Sequence, residues 1–432
     1  MPRSFLWSVV PALMIALMIP LTARAADPIP PSPAPAAETP AATTAPAAPA
    51  EAAPEPAAAT TLFMDTLKAV GVSGPLDSAG ILIYGYVEGG FTGRLTGGQD
   101  PLPLRVFDGG KPNNARLHQL KLTIERPIDK TKTFDFGGRA DMIYGRDARF
   151  IHAVGLTDNV VHEDKFNDLD LEQLYVQTFI GKGNKDGEGL DITFGKWVTP
   201  FGAEVIDAPG NTLFSRGLLF NFAIPFTHTG VKANYTFGPQ ASAYMAVVRG
   251  WDNWNDHNES PSYIVGGILN TAETVASGPR ASLALNVITG PEQEDNTRDY
   301  RTVTDVVATY RWNDKLTQML NFDYGTEANG TGTSASHWAG LAHYLTYAFT
   351  DTLAGTFRAE WFQDKDGVRT GIQGNMYELT VGVSIQPFPK DPIFKNLSVR
   401  PELRWDFADE QNAFGGNRED QVTAGFDIIF KF

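Results

Sequence analysis

The sequence has 432 residues, with 50 acidic side chains against 35 basic ones, a formal net charge of −15 and no cysteine. Such an acidic chain lacks the basic surface that phosphate backbones require, which excludes nucleic acid as a class of partner. Without cysteine, the fold has to be stable without disulfide bonds.

Residues 1–25 have the pattern of a secretory signal peptide. Arg3 precedes an apolar stretch from Phe5 to Leu21, and Ala23-Arg24-Ala25 gives the small residues of a cleavage site. Removing this segment takes away two arginines and no acid, so the net charge becomes −17. We therefore expect an exported protein.

Residues 26–60 are almost entirely Pro, Ala, Thr and Glu, a composition that cannot bury enough surface to fold. We interpret them as a disordered linker; the alternative is a spacer that threads the peptidoglycan or holds the rest of the chain off a partner. Residues 61–77 follow as a short helix and connector, because Leu62, Phe63, Leu67 and Val70 share one helical face. A short periplasmic helix is favoured over a partial plug.

From Ser78 to Phe432 the chain alternates apolar and polar residues with a period of two, in segments separated by Gly, Asn, Asp and Pro. No later run of about 18 apolar residues could form a transmembrane helix. Any membrane crossing must therefore use a closed barrel. The pattern predicts an all-β fold, a transmembrane antiparallel up-and-down β-barrel of about sixteen strands. The predicted strands are 81–94, 114–126, 133–145, 170–181, 189–198, 226–238, 240–251, 261–271, 279–289, 300–312, 315–325, 336–349, 352–363, 375–387, 396–407 and 419–432.

Connection lengths predict the orientation. Gaps after even-numbered predicted strands are mostly short, whereas the gaps 95–113, 146–169 and 199–225 after odd-numbered strands are the longest. Short periplasmic turns and long external loops are typical of these barrels, so both termini are expected in the periplasm. The segment 261–290 can be divided in another way, which would change the strand count by two.

The last predicted strand, Gln421 to Phe432, has one apolar face and ends in an aromatic residue. In an exported chain this ending is typical of outer-membrane barrels, and we predict that Phe432 is an assembly signal read by the barrel assembly machinery. A soluble β-sandwich would also alternate, but it explains the terminal Phe and the charged second face less well.

Sixteen strands leave a water-filled lumen, since about eight already suffice for side chains to fill the interior. The predicted inner face carries both signs of charge in near balance, which indicates weak selectivity with a slight cation preference from the net negative chain. The gap 199–225 is long enough to fold into the barrel as a constriction; the alternative is a surface loop with solvated charges. The predicted pore-lining residues are Lys196, Glu204, Asp207, Arg216, Lys121, Arg139, Lys232, Arg249, Arg358, Glu360 and Arg404.

Catalytic and metal-binding patterns are absent. There is no Gly-x-Ser-x-Gly and no HExxH, so we predict no enzyme activity, no cofactor and no metal. Acidic clusters at 163–172, 252–259 and 292–299 fall mostly in predicted external loops. We interpret them as solvated charge; the alternative is binding of divalent cations that bridge lipopolysaccharide.

Several segments resemble one known family. Tyr84 to Glu88 (YGYVE), Gly195 to Glu204 (GKWVTPFGAE) and Ile224 to Val231 (IPFTHTGV) are similar to the OmpL-like family of β-barrel porins. The loop motif is also similar to phosphate-selective porins. The resemblance implies an outer-membrane channel for passive diffusion of small solutes, in contact with outer-membrane lipid and lipopolysaccharide.

Two further expectations concern the assembly and an alternative function. A homotrimer is the assembly that analogy with sixteen-stranded porins suggests. The alternative function is a barrel with a blocked lumen that acts as a structural, anchoring or adhesion protein.

Overall fold

The computed structural model describes residues 61–98, 100–107, 111–156, 167–332 and 334–432. The predicted signal peptide and linker lie outside these ranges. The described residues begin with helix α1 (Leu62–Ala69), and a second short helix, α2 (Gly74–Ala79), lies where the sequence predicted a connector. Among the residues described, no helix is both long enough and apolar enough to span a membrane.

Sixteen antiparallel strands then close into a barrel, which confirms the predicted fold. The strands are β1 (Leu82–Thr96), β2 (Asn114–Arg126), β3 (Phe134–Gly145), β4 (Asp168–Gly181), β5 (Gly189–Val198), β6 (Thr227–Gly238), β7 (Ala241–Val248), β8 (Ser262–Asn270), β11 (Ala281–Pro291), β12 (Tyr300–Arg311), β13 (Leu316–Glu327), β14 (Ser336–Thr350), β15 (Leu353–Asp364), β16 (Gly374–Ile385), β17 (Leu397–Ala408) and β18 (Asp420–Lys431). Each pairs with its neighbours along the chain, and β1 pairs with β18.

The segment that could be divided in two ways contains β8 and β11, joined by a small separate hairpin. Its strands are β9 (Thr274–Val275) and β10 (Gly278–Pro279), which pair only with each other. Because β8 pairs directly with β11, the hairpin adds nothing to the barrel wall.

Connections differ between the two ends of the barrel. The end that carries the connections 127–133, 182–188, 239–240 and 351–352 is called the turn end. The opposite end carries 97–113, 146–167 and 199–226 and is called the loop end. Both α1 and the close of β18 lie at the turn end, because β1 starts and β18 finishes there.

Alternate residues of each strand face opposite sides of the wall. One side exposes large apolar residues, such as Phe194 (64% exposed), Val176 (62%) and Leu269 (61%), as expected for a face that meets lipid. The other side carries buried polar and charged residues, such as Lys121, Asp305 and Arg358.

The loop end of the lumen is filled by folded connections. Phe107, Phe201, Phe220 and Phe226 from these connections pack against inward side chains of the wall such as Trp338. Phe107 and Phe220 have ring centroids 5.1 Å apart, and Phe107 and Phe226 are 5.3 Å apart. At the turn end, inward residues such as Tyr84 and Gln177 stay partly exposed. Folded connections therefore occupy the lumen from the loop end inwards.

Phe432 closes the seam between the first and last strands. Its backbone N–H donates to the Gly85 carbonyl at 2.9 Å, and its own carbonyl accepts from the Gly85 N–H at 3.0 Å. The ring covers Gly85, where a Cβ would lie 2.9 Å from it, and its centroid is 6.4 Å from that of Phe63 in α1. Because Gly85 has no side chain, the ring of Phe432 fits against its backbone.

We predict that deleting Phe432, or replacing it by Asp, impairs assembly of the barrel in cells. Phe432 is partly buried, and losing its side chain costs at most about 2 kcal/mol. That cost is small for a wall of sixteen strands, so the main effect is expected in recognition by the assembly machinery. The yield of heat-modifiable barrel in the outer membrane measures assembly, and refolding in detergent is the control. Normal assembly of the truncated chain would refute the role of Phe432.

Candidate functional site

Connection 199–226 between β5 and β6 folds into the barrel. It is closed at its base by the Thr199 N–H, which donates to the Phe226 carbonyl at 2.8 Å. Most of its residues are buried, including Phe201 (1% exposed), and it contains the short helix α3 (Leu218–Phe222). We call this segment the inner loop.

The first stretch of the inner loop is held by asparagines on β11 and β13. Asn286 donates to the Pro200 carbonyl at 3.0 Å, and Asn321 accepts from the Ala203 N–H at 3.0 Å. Both asparagines also donate to Asp305, each at 2.8 Å, which fixes their side chains. Asp305 and Asp323 are directly opposite each other across β12 and β13. This part of the wall is therefore acidic.

Three wall arginines on β15 and β17 bind the middle of the inner loop. Arg358 donates to the Ser215 carbonyl at 2.7 Å, Arg400 to the Asn211 carbonyl at 2.5 Å, and Arg404 to the Arg216 carbonyl at 2.7 Å. Each arginine also pairs with a carboxylate of the wall, respectively Glu378, Asp427 and Asp406. The guanidinium groups are thus neutralised and bound to the loop rather than open to a passing solute.

Wall carboxylates bind the N–H groups of the same stretch. Glu402 accepts from the Phe214 and Ser215 N–H groups, both at 3.0 Å, and Glu360 accepts from the N–H of Leu218. Gly217 permits the close approach of Glu360, because a Cβ there would lie 2.3 Å from a Glu360 carboxylate oxygen. Acceptors and donors of the wall therefore match the backbone of the loop.

Two predicted loop residues, Glu204 and Arg216, brace the inner loop itself. Arg216 is 1% exposed and donates to the carbonyls of Val205, Ile206 and Phe214 at 3.0, 2.7 and 3.0 Å. Glu204 accepts from the Gly217 N–H at 2.6 Å and lies 2.5 Å from a guanidinium nitrogen of Arg358. Both are fixed parts of the constriction.

Asp207 differs from them because its side chain remains 27% exposed. It accepts from Lys121 Nζ at 2.6 Å and from the Tyr86 hydroxyl at 2.9 Å. Lys121 is 1% exposed and also lies 2.9 Å from both Asp141 and Glu172, so three carboxylates surround one ammonium group. Arg139 also bonds Asp141 at 2.9 Å, so these three carboxylates face two basic groups, a formal excess of one negative charge.

Residues from other connections hold the last part of the inner loop, which leads into β6. Asp252 accepts from the Phe226 and Thr227 N–H groups at 2.8 and 2.7 Å, and burial raises its pKa to about 6. Arg369 donates to the Phe222 carbonyl at 2.7 Å, and its guanidinium lies 5.0 Å from the ring of Trp251 and 5.3 Å from that of Trp338.

The remaining predicted pore residues lie in three different settings. Lys196 is fully buried, 3.1 Å from Asp170 Oδ2, and donates to the Leu171 carbonyl at 2.7 Å. Arg139 bonds Asp141 at 2.9 Å, and Lys232 lies 5.4 Å from the centre of the Trp197 ring.

Arg249 was wrongly predicted to face the lumen. It follows β7 in register with Met245 and Val247, which are 65% and 49% exposed on the outer face, and Arg249 is itself exposed. The predicted strand ran three residues further, to 251. In the structure β7 ends at Val248, where the chain turns away through Gly250 at a φ of 118°.

The prediction of solvated acidic clusters is also wrong for four of their members. Asp252 holds the inner loop, and Glu292 accepts from the Trp251 N–H at 2.7 Å and the Ser262 hydroxyl at 2.6 Å. Asp170 and Glu172 are buried within β4, whereas residues 163–166 lie outside the described ranges. A buried acid and a solvated one look alike in sequence when the segment has no periodicity.

Acidic side chains outnumber basic ones among the buried charges of the described residues. The acids are Glu88, Glu125, Asp135, Asp141, Asp147, Asp168, Asp170, Glu172, Asp191, Glu204, Asp305, Asp323, Glu327, Glu360, Asp364, Glu378, Glu402, Asp406 and Asp427. The bases are Arg105, Lys121, Arg146, Lys196, Arg216, Lys232, Arg311, Arg358, Arg400 and Arg404. The interior is therefore more acidic than the near balance predicted from the strand pattern.

Some residues of the site were not selected from the sequence. Arg400 and Glu402 are buried on the inner face of β17, but nothing in a strand pattern shows that they bind the inner loop. Gln119 is uncharged, yet it bonds both the Ile206 carbonyl at 2.9 Å and the Ala208 N–H at 3.1 Å. Arg369 lies in a connection, where no periodicity indicates its direction.

Comparison with known proteins agrees with this architecture. No curated protein sequence matches the chain. Among solved structures, the outer membrane channel DcaP of Acinetobacter baumannii has a TM-score of 0.53 at 15% identity, covering 82% of this chain and 97% of that one. OprB of Pseudomonas putida has a TM-score of 0.53 at 12% identity, covering 84% and 97%.

An anion-selective porin from Comamonas acidovorans has a TM-score of 0.51 at 9% identity, covering 82% of this chain and 99% of that one. At these identities the likeness shows the fold. The sequence itself matches the family model described as "Putative beta-barrel porin-2, OmpL-like" over residues 80–432, and the chain therefore belongs to this family of β-barrel porins.

Proposed function

We propose that this porin lets small hydrophilic solutes diffuse passively across the outer membrane, with a slight preference for cations, and that its turn end faces the periplasm. The inner loop is the main support for this proposal. It is fixed to the wall around the lumen, so that it narrows the barrel without depending on a flexible lid. Short turns at one end and long connections at the other support the orientation.

The charge of the interior supports the preference for cations. The wall arginines are paired with carboxylates and bound to the loop, so their fields are largely cancelled. Asp207 is also paired, with Lys121, but its side chain stays 27% exposed and Lys121 is shared with Asp141 and Glu172. Because charges in a narrow, low-dielectric passage act more strongly than charges on an open surface, Asp207 is expected to dominate selectivity.

A second function, a barrel with a blocked lumen that serves as an anchor or adhesion protein, is favoured by one observation. Aromatic residues from several connections form a packed cluster inside the loop end. The single observation that separates the two functions is ionic current through the purified protein in a planar bilayer.

We predict stepwise ionic current and a reversal potential of cation-selective sign, with a permeability ratio of about two to five for one exposed carboxylate in a passage of intermediate dielectric. A salt gradient across the bilayer gives the sign. Absence of current from correctly folded barrel would support the blocked-lumen function, and an anion-selective sign would mean that the wall arginines dominate.

Replacing Asp207 by Asn is expected to lower the cation preference about twofold to fivefold while leaving the fold intact, because Lys121 keeps Asp141 and Glu172 as partners. The matched control is Asp295→Asn, which removes the same charge from an exposed position of connection 292–299. Exposed charges there are screened within about 8 Å at physiological salt. Equal shifts of the reversal potential in both variants would refute the role of Asp207.

Arg216→Met is expected to act on the size of the current. Three loop carbonyls lose their donor, which costs about 1 kcal/mol for each buried bond and loosens the constriction. Larger or noisier single-channel currents at an unchanged reversal potential are the predicted result. If the reversal potential moves as much as in Asp207→Asn, Arg216 contributes to ion selection and its assignment as a brace is wrong.

A further inference from the structure

Five phenylalanines lie together at the turn end of the seam, in two groups of ring contacts. The ring centroids of Phe388 and Phe394 are 6.1 Å apart, those of Phe394 and Phe430 are 6.3 Å apart, and those of Phe63 and Phe432 are 6.4 Å apart. Phe430 and Phe432 are two residues apart on β18 and its extension, so they share one face. We call this set the phenylalanine strip.

Part of the strip is exposed on an ordered turn. Phe388 is 51% exposed, Phe394 is 50% exposed and the adjacent Ile393 is 47% exposed. All three belong to connection 386–396, where Asp391 accepts from the Ile393 and Phe394 N–H groups at 2.9 and 2.8 Å. These hydrogen bonds also hold the pKa of Asp391 below its usual range. The turn is thus built to present apolar side chains outwards, which water alone would disfavour.

The strip continues the lipid-facing surface beyond the strands. Phe430 lies on the outer face of β18 in line with Phe426 and Ile428, which are 41% and 43% exposed. Through Phe394, connection 386–396 extends this apolar surface past the end of the wall. Aromatic side chains at that level lie where acyl chains meet headgroups.

Basic residues flank the exposed rings. Lys390 and Lys395 are exposed in the same connection. Asp391, which lies between them, is engaged with the backbone of the turn. Apolar rings that enter the acyl region beside ammonium groups at headgroup level match an anionic phospholipid, whose phosphate has the opposite charge.

We propose that the phenylalanine strip, with Lys390 and Lys395, forms a binding site for an anionic phospholipid of the leaflet at the turn end. The rings contact the acyl chains, and the two ammonium groups bind the phosphate. A lipid bound there covers the apolar turn beside the strand pair that closes the barrel. The site is independent of solute passage through the lumen.

Native mass spectrometry of the purified full-length protein tests the site, with phosphatidylglycerol and phosphatidylcholine offered separately at equal concentrations. The double variant Lys390→Gln/Lys395→Gln is expected to bind phosphatidylglycerol about tenfold more weakly and phosphatidylcholine unchanged, since each lysine near the surface contributes electrostatic attraction to anionic lipid. Lys185→Gln/Lys315→Gln removes the same charge from two other turns that lack exposed phenylalanines, and it should leave both affinities unchanged.

A second variant tests the apolar half of the site. Phe388→Ser/Phe394→Ser should weaken the binding of both lipids, with folding checked by heat modifiability. The proposal is overturned if wild-type protein binds the two lipids equally, or if the two lysine variants lose phosphatidylglycerol to the same extent. It is also overturned if the phenylalanine variant keeps its lipids but loses self-association, because the strip would then be covered by a second copy of the chain.

Discussion

A chain segment that enters a barrel brings its backbone N–H and C=O groups into a space where water is scarce, and each group left without a partner costs about 1–3 kcal/mol. In this porin the charged wall supplies the partners. Arg358, Arg400 and Arg404 donate to loop carbonyls, whereas Glu360 and Glu402 accept from loop N–H groups. The charges inside the barrel are therefore placed to match a backbone, and the shape of the constriction depends on them.

This arrangement limits what those charges do to a solute. Arg400, for example, pairs with Asp427 and donates to two loop carbonyls. Its donors are therefore occupied and its charge is balanced. Breaking such a buried pair would leave the other charge uncompensated at a cost of several kcal/mol. Selectivity then depends on the few groups that keep solvent contact, and Asp207 is one of them.

The barrel was predictable because a strand that separates lipid from lumen alternates apolar and polar residues with a period of two. Few other folds give sixteen such segments in one chain. The same alternation gave the correct inward facing of Arg358 and Arg404, whereas Arg249 continues the outward row of Met245 and Val247 and was assigned to the wrong face. The hydrogen-bond and ion-pair partners of these side chains were not predictable. Arg358 pairs with Glu204, which is 154 positions away, and this contact depends on strand tilt and on the path of the inner loop. Arg216 was placed in the right loop, but its sequence context does not show that it binds carbonyls of its own segment.

The closed seam has a consequence for the order of folding. The inner loop precedes β6 in the chain, yet its partners Glu360, Arg400 and Glu402 belong to β15 and β17. The wall closes only when β18, the last strand, pairs with β1. Contacts between such distant segments are slow to form, because loop-closure entropy is lost before they are made. The inner loop can thus reach its final position only when the last strands arrive. Closing the wall and shaping the passage are accordingly one late step, and a barrel that has closed around a misplaced loop would have to reopen to correct it.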